Sequence, residues 1–182
     1  MMKFLETSLQ DCFAIEPTVF GDSRGFFMES FNQKKFNELL GTQHYFVQDN
    51  HSRSSKGVLR GLHYQIQNSQ GKLVRVVHGA VFDVAVDLRK SSRTFGQWYG
   101  CVLSDENKKM LWIPPGFAHG FSVLSDTADF LYKTTDYYAP QFERTIIWND
   151  VVLAIDWQIE GSPALSDKDK NGIPFKDAEV YS

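Results

Sequence analysis

Two histidines sit in company that proton chemistry can use. His63 lies in Arg60-Gly61-Leu62-His63-Tyr64-Gln65, and His119 closes Pro114-Pro115-Gly116-Phe117-Ala118-His119. An imidazole with an ordinary pKa of about 6.5 can accept or release a proton at neutral pH. Taken singly, each is most simply structural, because a neutral imidazole pairs readily with backbone groups. The surroundings of His63 change that balance. Arg53, Arg60, His63, Gln65 and Lys72 crowd into one short stretch flanked by apolar segments. Burying such cations without anions is costly, so the stretch either faces solvent or receives an anionic ligand. Arg24 and Glu29, in Arg24-Gly25-Phe26-Phe27-Met28-Glu29, form a second such stretch with aromatics available for stacking. In Tyr132-Lys133-Thr134-Thr135-Asp136-Tyr137-Tyr138, strand alternation would put Tyr132 and Tyr138 on one face, where both can meet a single cavity. The plain alternative for these rings is core packing with a satisfied hydroxyl.

Several other chemistries find no footing. His44, His51, His63, His78 and His119 are scattered singly, without the short His-x-His pair of a preformed metal site, so no metal and no other cofactor is expected. There is no Gly-x-Ser-x-Gly elbow, phosphate loop or dinucleotide glycine motif. Cys12 and Cys101, the only cysteines, read as small buried apolar residues. The formal net charge is −3 and the basic residues are dispersed, which argues against nucleic acid as a partner. No run reaches membrane-spanning length, and the first residues lack the apolar region of a secretory signal, so a cytoplasmic protein without membrane contact is expected. What remains is cofactor-free acid/base chemistry.

Positioning these groups requires a β scaffold. Of the 182 residues 14% are aromatic, and short alternating segments broken by Gly, Asp, Asn and Ser fill the middle of the chain. Around His78-Gly79-Ala80, the pattern predicts two strands joined by a tight turn. Val74 and Val76 share one face of the first; Phe82, Val84, Val86 and Leu88 share a face of the second, with Asp83 and Asp87 opposite. Phe95–Ser104, Met110–Ile113, Phe117–Leu124 and Ala128–Tyr138 read as further strands. One helix is expected, capped by Asn32, ended by Gly41, with Phe36, Leu39 and Leu40 as its apolar stripe, covering one end of the sheets. After Trp148 the pattern weakens, and Ser162 to Ser182, mixing Pro, Gly, Asp and Lys, reads as an ordered tail rather than a core element. The expectation is an all-β, single-domain jelly roll over residues 1–182 with a few short helices, an immunoglobulin-like sandwich being the alternative.

Along nearly its whole length the chain resembles the dTDP-4-dehydrorhamnose 3,5-epimerases of the deoxysugar (dTDP-L-rhamnose) pathway. The motifs that carry the resemblance are Gly21-Asp22-Ser23-Arg24-Gly25-Phe26-Phe27, Gln48-Asp49-Asn50, Val58-Leu59-Arg60-Gly61-Leu62-His63-Tyr64-Gln65, Ile113-Pro114-Pro115-Gly116-Phe117-Ala118-His119-Gly120-Phe121, Tyr132-Lys133 and Leu165-Ser166-Asp167-Lys168-Asp169. The resemblance implies a metal-free, cupin-type double-stranded β-helix that works as a homodimer on a dTDP-sugar. It implies His63 as general base, Asp169 as its orienting carboxylate, Tyr132 as general acid and Lys72 as the cation beside the enolate. For binding it implies Arg24, Phe27, Glu29, Gln48, Asn50, Arg60, His119, Tyr138, Glu143 and Lys168, with Phe27 stacking on thymine. A proton on carbon 3 or carbon 5 lies α to the keto group at carbon 4, so its removal gives a stabilised enolate. Relatives that epimerise only one carbon carry nearly the same motifs, and a non-catalytic carbohydrate-binding jelly roll is the remaining alternative.

Overall fold

A computed structural model describes residues 2–182, which form thirteen strands and two α-helices. In chain order these are β1 (Lys3–Glu6), β2 (Phe13–Glu16), β3 (Val19–Asp22), β4 (Gly25–Met28), α1 (Gln33–Leu40), β5 (Gln48–Ser55), β6 (Leu59–Gln65), β7 (Lys72–His78) and β8 (Ala80–Asp87). They continue with β9 (Trp98–Ser104), β10 (Met110–Ile113), β11 (Phe117–Val123), β12 (Thr127–Thr134), β13 (Glu143–Thr145) and α2 (Asp167–Lys170). One sheet runs β1-β2-β10-β7-β12-β5 and the facing sheet runs β13-β6-β11-β8-β9. The pair β3-β4 stands apart as a two-stranded hairpin.

The pairings β8–β9, β7–β10, β6–β11 and β5–β12 are nested antiparallel, one inside the next. A long hairpin rolled over on itself produces that pattern, which is the jelly-roll winding rather than the immunoglobulin one. Consequently β7 and β8 do not pair with each other, despite the tight turn between them. Gly79, at φ 74, carries the chain from one sheet to the other, and a Cβ there would lie 2.0 Å from the carbonyl oxygen of Thr127.

Each sheet buries its inner face and part of its outer one. Between them lie Val74, Val76, Val81, Ala85, Leu111, Phe121 and Phe130. The apolar side of β8, with Phe82, Val84 and Val86 and with Leu88 just beyond the strand, faces outward instead, and the C-terminal segment covers it with Leu153, Trp157 and Tyr181. The stretch after Trp148 therefore adds a further layer, with Leu153 and Trp157 buried in it, and the expected tail from Ser162 packs Leu165, Phe175, Val180 and Tyr181 half-buried against the same cluster. It lacks periodicity because irregular backbone lays single side chains onto the sheet.

Helix α1 begins where Asn32 Oδ1 accepts the amide of Lys35 at 3.1 Å and ends at Gly41 in the left-handed region, φ 66. It covers the outer face of the six-stranded sheet, not an end, because Phe36 packs against Trp112, Phe46 and Phe4. Leu39, expected in its apolar stripe, is exposed. No helix among the described residues is long and apolar enough to cross a membrane.

Candidate active site

The inter-sheet space opens at one end into a cavity of about 890 Å³. An irregularity in β6 equips it. His63 pairs with His119 and Arg60 with Phe121, so three residue steps on β6 span two on β11. Strict alternation would put Arg60 and His63 on opposite faces; the extra residue lets both face the cavity while Leu59 and Leu62 stay in the outer core. The two backbones close tightly there. Gly61 sits at φ 124, and a Cβ on it would lie 2.5 Å from Gly120 Cα and 2.8 Å from the carbonyl oxygen of His119.

His63 Nε2 lies 2.7 Å from Asp169 Oδ1. Because a carboxylate only accepts, the ring must donate from Nε2, which leaves the lone pair on Nδ1. Asp169 is held in turn by the amide of Gly61 at 3.1 Å and the hydroxyl of Ser166 at 2.5 Å. Ser166 also caps α2 by accepting the amide of Asp169. Burial raises the Asp169 carboxyl, but the donors His63, Ser166 and Gly61 outweigh it and hold the group at about 2. Burial, aided by the cations Lys168 and Lys72, holds the His63 imidazole below its ordinary value even though Asp169 opposes the shift. The pair at neutral pH is thus a neutral imidazole oriented by a carboxylate, which is a base ready to accept a proton.

The opposite wall comes from the other sheet. Lys72 opens β7 and is buried; burial brings its ammonium down to about 8, while Asp83 and Glu143 resist that fall. Tyr132, on β12, is raised above its ordinary value by burial and by the charge of Glu143, so it stays protonated. His119 Nε2 donates to the fully buried Asp83 at 2.9 Å, and the imidazole stacks on Phe130 at 5.9 Å between ring centres. At the rim, Glu143 accepts from Lys168 at 2.8 Å and from the Tyr138 hydroxyl at 3.0 Å, and Gln48 accepts the Tyr138 amide. Among the described residues no three His, Cys, Asp or Glu side chains gather as a metal-ligand group. A neutral base on one wall, with a phenol and a buried cation on the other, can exchange a proton across the two faces of a flat intermediate.

A family model described as dTDP-4-dehydrorhamnose 3,5-epimerase matches residues 6–177. The chain belongs to that family. It is 60% identical over 180 residues to the dTDP-4-dehydrorhamnose 3,5-epimerase of Pseudomonas aeruginosa, spanning 99% of each chain. Its structure is similar to the crystal structure of a dTDP-6-deoxy-D-glucose-3,5-epimerase from Legionella pneumophila in complex with dTDP-4-keto-L-rhamnose. That match has a TM-score of 0.96 and 55% identity, covering 98% of this chain and 95% of the other. It also resembles a 3'-monoepimerase from Streptomyces bikiniensis in complex with dTDP-quinovose, with a TM-score of 0.88, 33% identity and coverage of 93% and 86%. The cupin-like jelly roll is common to these epimerases, which are isomerases acting on nucleotide sugars.

Within this epimerase fold, His63, Asp169, Lys72, Tyr132, Gln48, Asn50, Arg60, His119, Tyr138, Glu143 and Lys168 all line the one cavity. Tyr138 reaches it from a loop, because β12 ends at Thr134 and the alternation does not run on. Arg24, Phe27 and Glu29 do not meet the cavity. They stand on or beside the β3-β4 hairpin, where Phe27 is 70% exposed and Arg24 pairs only with its neighbour Asp22. Arg53 turns away to Asp129 at 2.7 Å, and Gln65 is a structural brace that accepts the amide of Ala139. Sequence reasoning missed Asp83 and Ser166. The alternation in β8 did set Asp83 opposite an apolar face, but that apolar face is the outer one, so Asp83 points inward, where it holds His119 from behind the cavity wall.

Proposed function

We propose that this chain is a cofactor-independent dTDP-4-dehydrorhamnose 3,5-epimerase, converting dTDP-4-dehydro-6-deoxy-D-glucose to dTDP-4-dehydro-L-rhamnose in dTDP-L-rhamnose biosynthesis. The observation that carries the reading is the His63–Asp169 pair on one wall of the cavity facing Tyr132 and Lys72 on the other. His63 removes the proton from carbon 3 or carbon 5, and Asp169 stabilises the imidazolium that forms. Lys72 stabilises the enolate oxygen at carbon 4, a contribution of roughly 3–4 kcal/mol for a well-placed donor. Tyr132 returns a proton from the opposite face, which inverts the carbon. Arg60 and Lys168 hold the diphosphate, while Gln48, Asn50, His119, Tyr138 and Glu143 hold the rest of the nucleotide sugar.

The enzyme is read as a cytoplasmic single-domain protein acting as a homodimer, in which the β3-β4 hairpin of each subunit serves its partner. Support comes from the hairpin itself, whose Phe20, Phe26 and Phe27 are exposed at 63%, 59% and 70% and whose strands join neither main sheet. In that arrangement Arg24 and Glu29 bind the substrate held by the other copy, and Phe27 stacks on thymine.

Proton NMR in deuterated water tests the reaction. Incubated with dTDP-4-dehydro-6-deoxy-D-glucose, the enzyme is expected to place deuterium at both carbon 3 and carbon 5. Label at one carbon only would favour the single-position reading, which the likeness to the 3'-monoepimerase makes the specific rival. Binding without label would leave a carbohydrate-binding module.

A further inference from the structure

Asp83 is a buried carboxylate that contacts the site through His119 and that the proposed reaction does not use. It is fully buried on β8, and its Oδ2 accepts from His119 while its Oδ1 has no hydrogen-bond partner among the described residues. An orphaned buried acceptor costs on the order of 1–3 kcal/mol, more when charged, so its retention calls for a compensating role. The direction in which Asp83 points suggests one. Val81 and Ala85 of β8 lie in the inter-sheet core, so Asp83 between them points inward as well; Val74 and Val76 of β7 do the same from the other sheet, which sets Lys72 inward too. Lys72 is also incomplete, being buried with no hydrogen bond or ion pair to another side chain of the described residues. An anion with one free oxygen and a cation without a partner thus point into the space between the sheets from facing strands, Lys72 lining the cavity and Asp83 standing behind His119, which lines it too.

We propose that Asp83 is a positioning residue for the epimerisation, keeping the Lys72 ammonium charged and aimed at the substrate and fixing His119 in the tautomer that donates from Nε2. The inference rests on the epimerase reading. Other charges around Lys72 do not fill this place. Glu143 of β13 is already engaged by Lys168 and Tyr138, whereas Lys168 of α2 and His63 of β6 disfavour a second positive charge. The charge of Asp83 also reaches Cys12 and Cys101, whose thiols burial pushes up, so they stay neutral. Asp83 is the foremost charge that supports the Lys72 ammonium against burial.

The test compares the unsubstituted enzyme with Asp83→Asn, which keeps the shape and an acceptor for His119 but removes the charge. Deuterium incorporation is measured across pH 5–10. The expected result is an alkaline limb that falls by about one pH unit or more in D83N, as loss of a nearby opposite charge dictates, with dTDP affinity by calorimetry unchanged within about threefold. A limb that stays in place while the rate simply drops would overturn the proposal, since a purely structural role lowers activity without moving a titration. Absence of label in the unsubstituted enzyme would instead remove the epimerase reading and this inference with it. Should D83N fail to fold, the side-chain carboxyl carbon of Asp83 in 13C-labelled unsubstituted protein decides. Its resonance is expected to step at the pH of the alkaline limb, and a flat titration there refutes the coupling.

Discussion

Replacing Asp169 by Asn removes one charge, keeps the volume, and strikes the contact that orients His63. The carboxylate accepts from His63 at 2.7 Å, Gly61 at 3.1 Å and Ser166 at 2.5 Å. Against burial, these donors depress the carboxyl from 3.8 to about 2, which favours the anion by about 2 kcal/mol at 1.36 kcal/mol per pKa unit. His63 is the largest of the favourable contributors. While His63 is neutral this is an ordinary charge-assisted hydrogen bond; once it takes the substrate proton, the contact becomes an ion pair in a cavity where only 23% of the imidazole is exposed. Loss of a bond to a charged partner is worth about 1.5–3 kcal/mol, or roughly 10- to 150-fold in rate. The amide can also turn its NH₂ toward the ring and select the other tautomer, which adds to the loss. The expected result is a kcat lower by about a hundredfold or more, with KM within about threefold. Because Asp169 raises the basicity of His63, the acid limb of the pH profile should also move to lower pH in D169N. Initial rates of deuterium incorporation, followed by NMR between pH 4 and 9, measure both quantities. A kcat within about threefold of the unsubstituted enzyme, or an acid limb that moves upward, would falsify the assignment of Asp169 as the partner of the base.

His63→Ala should lower turnover at least about a hundredfold with little change in substrate affinity, and unchanged turnover in a direct exchange assay would rule out His63 as the base. The unsubstituted enzyme should show a bell-shaped profile of kcat/KM. Activity rises as His63 loses its proton, below the ordinary histidine range, and falls as Lys72 loses its own near 8; a profile flat from pH 7 to 10 counts against Lys72. Gly61→Ala should destabilise the fold by several kcal/mol, because its Cβ would meet the Gly120 backbone at 2.5 Å at a φ of 124; a melting temperature within a degree or two of the unsubstituted protein would contradict the close approach. Arg24→Ala should leave the melting temperature unchanged, since the side chain is exposed, yet raise KM about tenfold or more; an unchanged KM would show that the hairpin serves no active site.

Much of the fold was legible because strand alternation is a local property. Met110–Ile113 matches β10, and the cap of Asn32 and stop of Gly41 bound α1 as the sequence reads. The failures on β8 and β6 are failures of parity, because alternation tells two faces apart but not which of them meets the other sheet, nor where an extra residue interrupts it. On β8 the apolar face turned out to be the outer one, covered by the segment after Trp148, and so the significance of Asp83 was hidden. On β6 a single extra residue reverses the parity, and nothing in Arg60-Gly61-Leu62-His63 alone announces that Arg60 and His63 face one way.

Residue identities determined the chemistry on offer: a histidine among cations, carboxylates and tyrosines within reach, and motifs specific enough to mark the family. Those are properties of side chains and of short spacings, which survive without a third dimension. Tertiary structure alone decided which groups meet. Asp169 reaches His63 across a separation of 106 residues, Asp83 reaches His119 across 36, and Arg24 and Phe27 stay out of the cavity their own chain builds. Contacts between residues so far apart depend on how the nested strands close on one another, and that closure is set by packing of both faces of both sheets rather than by any local pattern.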